Sequence, residues 1–311
     1  GRDTNGQIVV DATRFPSGIK ALADYTHSRG LLFGIYTSGG RITCEKRPGS
    51  YGYEHIDAKT YADWGVDYIK IDWCGIEYID TQTQYSIWKQ AVENTGRPMV
   101  ISIAIAAIDT IPNNRVWEWG HGTAESWRTA RDLIDTWDDV LRVANINTRY
   151  ASYSRIGGWN DADMLQVGNG GMDIESNRSH FSLWAMMSSP LLAGHDVRIM
   201  SPEIRDILTN KEVIAINQDK LGEQAKLTSI TNGVRIYSRR LAHIGDRAVA
   251  LLNVSESEKE VDIYWSELGL LPVVIYKDLW QSDAYKLSVK KLTMQLKPHQ
   301  TILLKIHGFD Y

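Results

Sequence analysis

Helical and extended patterns alternate along the first two thirds of this 311-residue chain. Helices with apolar residues at helical spacing are each followed by a short apolar run, in the segments 15–37, 55–72 and 84–105. Strands separated by helices of ten or more residues form parallel sheets with right-handed crossovers. The alternation therefore predicts an α/β fold of the β/α-barrel (TIM-barrel) type.

The pattern changes after about residue 222. Segments such as "VRIYSRRL", "DRAVALLNV" and "QTILLKIHG" are short strands at hairpin spacing, with few helical stretches between them. This succession of short strands is typical of an antiparallel β-sandwich. We therefore predict a barrel domain over 1–220 and a C-terminal β-sandwich domain over 221–311.

The charge balance excludes several classes of partner. The net charge is −4 and no run of lysine or arginine occurs, whereas nucleic acids and anionic membranes require concentrated positive charge. No run of eighteen apolar residues and no basic-then-apolar start is present, so neither a membrane span nor a signal peptide is expected in this window. The abrupt start "GRDTNGQIVV" suggests a processed or truncated N-terminus. A small neutral ligand is the expected partner.

The stretch "YIKIDWCG", residues 68–75, places two charges at the end of a predicted strand. Lys70 and Asp72 are two residues apart and so point to the same side of the strand. In a β/α barrel the carboxyl ends of the strands carry the active site. We expect the ammonium to favour an ionised Asp72, suited to nucleophilic attack, with Tyr36 from the preceding strand beside them. A structural salt bridge at the strand end is the alternative.

A second cluster, "SWRTARDLIDTWDD", contains Arg128 and Asp132 four residues apart. At that spacing they share one face if a helix begins there. Such pairs are usually solvated surface ion pairs. Trp127 and Trp137 bracket this pair, and the cluster follows a strand, which favours a position on a barrel-top loop.

A third cluster, "GGWNDADML", packs an indole among amide and carboxylate groups: Trp159, Asn160, Asp161 and Asp163. Turns rich in asparagine and aspartate are common. An indole beside carboxylates at a strand-to-helix loop suits the apolar face and the hydroxyls of a sugar.

Motifs for metals and cofactors are absent from the sequence. The eight histidines form no HxH, HExxH or HxxxH pair, and no EF-hand, nucleotide-binding glycine loop or GxSxG element occurs. We therefore expect no catalytic metal and no cofactor.

The two cysteines, Cys44 and Cys74, leave two alternatives open. A bridge would close a loop of about 30 residues and contribute about 3.5 kcal/mol in the chain-entropy model. It would also indicate an oxidising compartment. Two reduced, buried thiols fit the spacing equally well. The sequons at Asn177 and Asn253 decide nothing.

Several long motifs taken together resemble the α-galactosidase family of glycoside hydrolases, family 27. They are "CEKRPGSYGYEHIDAKTYADWGVDYIKIDWC", "SWRTARDLIDTW", "GGWNDADMLQVGNGGM" and "NKEVIAINQDKLG", and the similarity covers almost the whole chain.

This resemblance implies a retaining glycosidase in which Asp72 is the nucleophile and Asp132 the general acid/base. Retention requires the two carboxyl groups to lie roughly 5–5.5 Å apart. The resemblance further implies a Cys44–Cys74 disulfide beside the site and a secreted or extracytoplasmic location. It assigns substrate contacts to Tyr36, Cys44, Lys70, Arg128 and Asp163.

The chain departs from the family pattern in three respects. The first barrel strands, with a paired-aspartate motif, do not occur in the sequence. The carboxylate expected after the fifth strand to bind the 2-hydroxyl is replaced in "SIAIAAIDTIP" by Ile103, Ala104 and Ala107, which leaves room for an acetamido group or for Glu118 to substitute. Finally, Trp73 is bulkier than expected, and Ala162 stands where proline is usual.

The leading prediction is hydrolysis of terminal α-linked galactose. Within the enzyme class, α-N-acetylgalactosaminidase and β-L-arabinopyranosidase activities are the alternatives, since both use the same two carboxylates. A non-catalytic carbohydrate-binding protein is the alternative from another class. The sequence leaves the aglycone and the oligomeric state open.

Overall fold

The computed structural model describes residues 1–75, 80–105, 114–281 and 284–311. The chain divides into two compact units, Gly1–Arg128 and Thr129–Tyr311, and each is described by itself.

The first unit is built from alternating helices and parallel strands. They are α1 Gly18–Ser28, β1 Gly34–Ser38, α2 Glu54–Trp64, β2 Tyr68–Asp72, α3 Thr81–Asn94, β3 Val100–Ala104, α4 Val116–Trp119 and β4 Ser126–Arg128. Strands β1 to β4 pair in chain order, and every pairing is parallel. Ile69 and Ile71 of β2 and Ile101 and Ile103 of β3 are fully buried. Branched apolar side chains thus cover the sheet and leave the strand ends to polar residues.

The second unit begins with helices and ends with antiparallel strands. The first part contains α5 Trp137–Arg149, β5 Trp159–Asp161, α6 Ile174–Met186, α7 Pro202–Leu208 and α8 Lys211–Asn217. The strands that follow are β6 Lys226–Thr231, β7 Val234–Arg240, β8 Asp246–Asn253, β9 Lys259–Tyr264, β10 Val273–Asp278, β11 Lys286–Val289, β12 Lys291–Leu296 and β13 Thr301–His307. One sheet has the order β11-β10-β13-β8-β7-β6, and β12 pairs with β9 in a second sheet.

Strand β8 is buried on both of its faces, and this explains why its sequence reads as a continuous apolar run. Val249 and Leu251 belong to the core between the two sheets. Ala250 and Leu252 belong to a second core that also contains Trp184 of α6. The larger sheet therefore separates a helical layer from the second sheet, and the predicted antiparallel sandwich is present.

Helix α6 carries a fully buried histidine, His180. Its Nε2 atom accepts the backbone N–H of Gln166 at 3.0 Å, and the ring meets Trp184 edge to face with centroids 4.0 Å apart. Burial disfavours the charged ring and lowers the pKa of His180 to about 3.

The buried His180 predicts a specific loss of stability in acid. The unfolded chain takes up this proton near pH 6.5, whereas the native state stays neutral until about pH 3, so acid favours the unfolded state between these values. We expect this residue to remove about 1.4 kcal/mol of unfolding free energy per pH unit below its unfolded pKa. Urea unfolding from pH 7 to pH 5 should therefore show a shallower pH slope in His180→Asn than in the wild type. The exposed His55 provides the control, His55→Asn, whose slope should match the wild type. Equal slopes in all three proteins would contradict the assignment.

Both sequon asparagines are buried and bonded through their side-chain nitrogens. Asn177 Nδ2 donates to the carbonyls of Met172 and Asp173, at 3.0 and 2.8 Å. Asn253 Nδ2 donates to the carbonyl of Ser257 at 2.8 Å. Neither side chain is accessible to a glycan in the folded protein.

Within the described ranges, no helix combines the length and apolar character needed to cross a bilayer.

Candidate active site

The carboxylate of Asp72, the last residue of β2, is held by two hydrogen bonds. Tyr36 on β1 donates its hydroxyl to Oδ2 at 2.8 Å, and the backbone N–H of Trp73 donates to Oδ1 at 2.8 Å. The parallel register explains the first contact, because Tyr36 is opposite Lys70 and Ser38 is opposite Asp72. Hydrogen bonds to both oxygens fix the orientation of the carboxylate.

The Tyr36 hydroxyl keeps its proton throughout the working range of pH. Burial and then the hydrogen bond to Asp72 raise the pKa of Tyr36 well above its ordinary value. The side chain is therefore a permanent donor to Asp72.

Removing this donor is expected to slow catalysis moderately. A hydrogen bond to a charged group contributes about 1.5–3 kcal/mol, so Tyr36→Phe should lower kcat/KM for an aryl α-galactoside about 10- to 100-fold. Tyr25→Phe, at an exposed tyrosine of α1, is the matched control and should leave the rate unchanged. An unaltered rate in Tyr36→Phe would show that Asp72 does not depend on this contact.

The two cysteines form a disulfide next to Asp72. Cys44 and Cys74 are bonded, and the Cys44 sulfur lies 3.2 Å from Asp72 Oδ2. Cys44, Asp72 and Cys74 also converge in the manner of metal ligands. Because both sulfurs are consumed by the disulfide, neither is available as a thiolate ligand. The bridge instead pins the loop after β1 to the tip of β2.

The disulfide closes a 30-residue separation, and its removal predicts a large loss of stability. In the chain-entropy model the double variant Cys44→Ala/Cys74→Ala should lose about 3–4 kcal/mol of unfolding free energy. Urea unfolding of the oxidised wild type and the double variant measures this directly. Equal midpoints would contradict the expectation.

The bulk of Trp73 is accommodated by helix α3. The ring of Tyr85 stacks on the indole with centroids 5.3 Å apart, and its hydroxyl donates to the Ile71 carbonyl at 3.0 Å. Gly75 adopts φ +66°, and a Cβ there would lie 2.4 Å from Cγ1 of Ile42. Glycine after Cys74 is thus required by the close approach of the Ile42 loop.

The other side chains predicted near Asp72 have distinct surroundings. Lys70 lies on the same face of β2 as Asp72, but within the described residues it forms no ion pair shorter than 4.0 Å, which disfavours the structural salt bridge. Ala104 is directly opposite Asp72 on β3 and offers no carboxylate. Ile103 is fully buried, so it faces the core.

Glu118 and Ala107 are the remaining residues predicted near the 2-substituent of the sugar. Glu118 is exposed and pairs with Arg115 at 3.5 Å. Ala107 lies outside the described residues.

The segment that carries Asp132, in the second unit, is fixed through its backbone. The N–H of Leu133 donates to Asp163 Oδ2 at 2.9 Å, and the Leu133 carbonyl accepts from Gln166 at 3.0 Å. Arg142 of α5 donates to the Asp132 carbonyl at 3.0 Å. The Asp132 side chain is exposed. A rigid backbone thus presents an accessible carboxyl group.

Asp163, which was predicted to contact the sugar, also anchors this segment. Its φ of +81° is rare for a non-glycine residue. The Met164 N–H donates to its Oδ1 at 2.8 Å, and Trp184 Nε1 donates to its carbonyl at 2.7 Å. Left-handed backbone at such a residue persists where surrounding contacts over-determine it. The sequence pattern did not reveal this anchoring role, because the partners are distant in the chain.

The substitution of alanine for proline at position 162 has a compensating partner. The Ala162 N–H donates to the Ser189 hydroxyl at 2.9 Å, a bond that proline cannot form. Ser189 was not predicted, and no local motif marks it.

Arg128 and the asparagine of the third cluster are internal. Arg128 is only 4% exposed at the end of β4, next to the fully buried Trp127, which argues against a solvated surface ion pair. Asn160 is fully buried and donates to the Tyr150 carbonyl at 2.7 Å, so its role is structural. Trp159 remains half-buried.

Comparison with known proteins assigns the family. The family model described as alpha galactosidase A matches residues 1–219, and that of the alpha galactosidase C-terminal beta sandwich domain matches 231–306. The chain is 42% identical to a probable alpha-galactosidase of Dictyostelium discoideum, over 95% of this chain and 73% of that protein. It is also 42% identical to the alpha-galactosidase of Cyamopsis tetragonoloba, over 96% and 72% of the two chains.

A solved structure gives the same result. The crystal structure of alpha-galactosidase I from Mortierella vinacea superposes with a TM-score of 0.95 at 31% identity, covering 100% of this chain and 85% of that one. The prediction of barrel-type β/α units followed by an antiparallel β-sandwich is confirmed. The chain therefore belongs to the α-galactosidase family of glycoside hydrolases, family 27, and is a glycosidase.

Proposed function

We propose that this protein is a retaining α-galactosidase that cleaves terminal α-linked galactose by double displacement, with Asp72 as nucleophile and Asp132 as general acid/base. The observation that carries the proposal is the Asp72 carboxylate at the tip of β2, oriented by Tyr36 and by the N–H of Trp73. Both contacts hold the carboxylate in one orientation, as a nucleophile that must meet the anomeric carbon requires. The α-galactosidase relatives support the choice of sugar.

The mechanism follows from the two carboxyl groups. Protonated Asp132 delivers its proton to the leaving oxygen while Asp72 attacks the anomeric carbon and forms a covalent glycosyl-enzyme. The deprotonated Asp132 then takes a proton from water, which attacks the same carbon and releases Asp72. Lys70, Arg128, Asp163, Tyr36 and Cys44 are proposed substrate contacts.

The catalytic domain is proposed to span 1–220, with the sandwich domain at 221–311. The disulfide beside Asp72 supports an oxidising, extracytoplasmic location. No cofactor enters this mechanism.

The second candidate function is α-N-acetylgalactosaminidase activity, because Ala104 is a small residue near the nucleophile. It stands opposite Asp72 and brings no carboxylate to its position on β3, which leaves the recognition of the 2-substituent open. A panel of aryl α-galactoside, aryl α-N-acetylgalactosaminide and aryl β-L-arabinopyranoside separates the candidate substrates. We expect the α-galactoside to have the highest kcat/KM.

Trapping the covalent intermediate tests the chemistry itself. Incubation with a 2-deoxy-2-fluoro-α-galactosyl donor should give one fluorogalactosyl adduct per chain, located on Asp72 by peptide mass spectrometry. Attachment to another residue would overturn the assignment of the nucleophile. Galactose binding with no turnover of any substrate in the panel would favour the non-catalytic alternative.

A further inference from the structure

Two histidines and one carboxylate converge at the end of the larger sheet of the sandwich, on the turn between β7 and β8 and on the last strand. His307 Nδ1 lies 2.8 Å from Asp246 Oδ1, and His243 Nδ1 lies 3.5 Å from the same oxygen. We propose that His243, Asp246 and His307 form a binding site for a divalent cation of the zinc class.

The fold brings these residues together by two independent routes. Asp246 and His307 are directly opposite each other in the antiparallel pairing of β8 with β13. His243 and Asp246 close one turn, in which the Asp246 N–H donates to the His243 carbonyl at 3.0 Å. The turn and the strand register therefore aim both imidazoles at one carboxylate oxygen.

Gly245 allows the turn to approach the last strand. It has φ +84°, and a Cβ at this position would lie 2.8 Å from Cε1 of His307. Its carbonyl accepts the Gly308 N–H at 2.9 Å. A side chain at position 245 would push His243 and Asp246 away from His307.

The separation of the ligand atoms suits a small tetrahedral cation. Zinc bonds of about 2.0–2.2 Å place neighbouring ligand atoms about 3.3–3.5 Å apart. The three candidate atoms lie within 4.8 Å of one another. Because the His243 side chain is 76% exposed, it has the freedom to approach the cation, whereas the 2.8 Å contact between His307 and Asp246 would have to open by about 0.5 Å. Two imidazoles with one carboxylate favour zinc and related transition metals over calcium or magnesium, which prefer oxygen ligands alone.

One neighbouring cation competes for the carboxylate. Lys305 Nζ lies 3.1 Å from Asp246 Oδ2, the oxygen that faces away from the imidazoles. The metal would use Oδ1, which Lys305 leaves free, while the ammonium at Oδ2 opposes a second cation at the same carboxylate. The adjoining cavity, lined by Ala242 and Phe309 among others, leaves space for water as a fourth ligand.

Zinc titration of the tag-free protein tests the site. Calorimetry should show one Zn²⁺ per chain, and Co²⁺ should give the visible absorption bands of a tetrahedral complex. His243→Ala and His307→Ala should each weaken binding by at least the roughly 10- to 100-fold that the loss of an outer-shell partner alone costs. His55→Ala, at an exposed histidine of α2, is the matched control and should bind as the wild type does.

The second readout is thermal unfolding. Zinc at about a hundredfold excess over its wild-type Kd should raise the melting temperature of the wild type by about 3–5 °C and that of His243→Ala by about 2 °C or less. Since His243 is a solvent-exposed turn residue, this variant stays interpretable even where His307→Ala folds poorly.

Removing the ammonium of Lys305 tests the site through an expected gain in zinc affinity instead of a loss. Lys305→Met is expected to bind zinc more tightly, because a positive charge next to the carboxylate opposes a cation there. Unchanged or weaker binding in this variant would place the metal away from Asp246 and overturn the site. Absence of stoichiometric zinc in the wild type, or binding retained in both histidine variants, would overturn it as well.

Discussion

Asp72→Asn is expected to lower kcat for an aryl α-galactoside by at least about 10⁴-fold, which corresponds to about 5.5 kcal/mol of transition-state stabilisation. An amide at this position keeps the shape of the side chain but supplies no carboxylate to form the glycosyl-enzyme. The Trp73 N–H and the Tyr36 hydroxyl, both donors at 2.8 Å, also lose the charge that they complement.

The control for this variant is another aspartate of the same unit. Asp63 of α2 is exposed and pairs with Lys59, so Asp63→Asn should retain wild-type kcat. Steady-state hydrolysis of all three proteins provides the comparison, and galactose binding by calorimetry shows whether the variant site is intact. Retention of kcat within tenfold in Asp72→Asn would remove Asp72 from the role of nucleophile.

Stereochemistry sharpens the test. In Asp72→Gly the space left by the carboxylate admits azide, which attacks the anomeric carbon on the face opposite the leaving group. The product from an α-galactoside is then β-galactosyl azide, because a single displacement inverts the configuration. Detection of the α-azide instead would show that a covalent nucleophile survives in this variant.

The sequence located Asp72 because the required signal is local. The alternation of helices and strands predicts that Asp72 ends an apolar strand. Because β/α barrels carry their active sites at the carboxyl ends of the strands, that position predicts a catalytic role. The position of Tyr36 beside Asp72 was predictable for the same reason, since neighbouring parallel strands place their corresponding ends side by side. The β-sandwich was equally readable from the spacing of its hairpins.

The supporting contacts were not predictable because they join distant parts of the chain. Asp163 binds the N–H of Leu133 thirty residues away, and Ser189 binds that of Ala162 across twenty-seven residues. Neither pair leaves a periodic or compositional trace. The convergence of His243, Asp246 and His307 likewise depends on the pairing of β8 with β13, which no short motif encodes. These histidines therefore belong to no HxH or HExxH pattern in the sequence.

Asp132→Ala is expected to separate substrates by their leaving groups. General acid and base catalysis each contribute about 10²–10⁴-fold, so an alkyl α-galactoside, whose leaving oxygen needs a proton, should lose rate in that range. A dinitrophenyl α-galactoside leaves readily without a proton, and its first step should be nearly unaffected. Its second step should still slow, because Asp132 no longer activates water. The glycosyl-enzyme then accumulates, and KM falls together with kcat.

Azide distinguishes this role from that of Asp72 and from simple structural damage. In Asp132→Ala, azide attacks the accumulated glycosyl-enzyme without base assistance, so it should restore turnover and yield α-galactosyl azide after two inversions. Asp138→Ala, at an exposed aspartate in the first turn of α5, is the control and should show neither the leaving-group dependence nor the rescue. The Leu133 backbone is held by Asp163 and Gln166, and an unchanged thermal unfolding midpoint in Asp132→Ala would show that the truncated segment stays folded. An equal rate loss for both leaving groups, with no azide product, would assign Asp132 a role outside proton transfer.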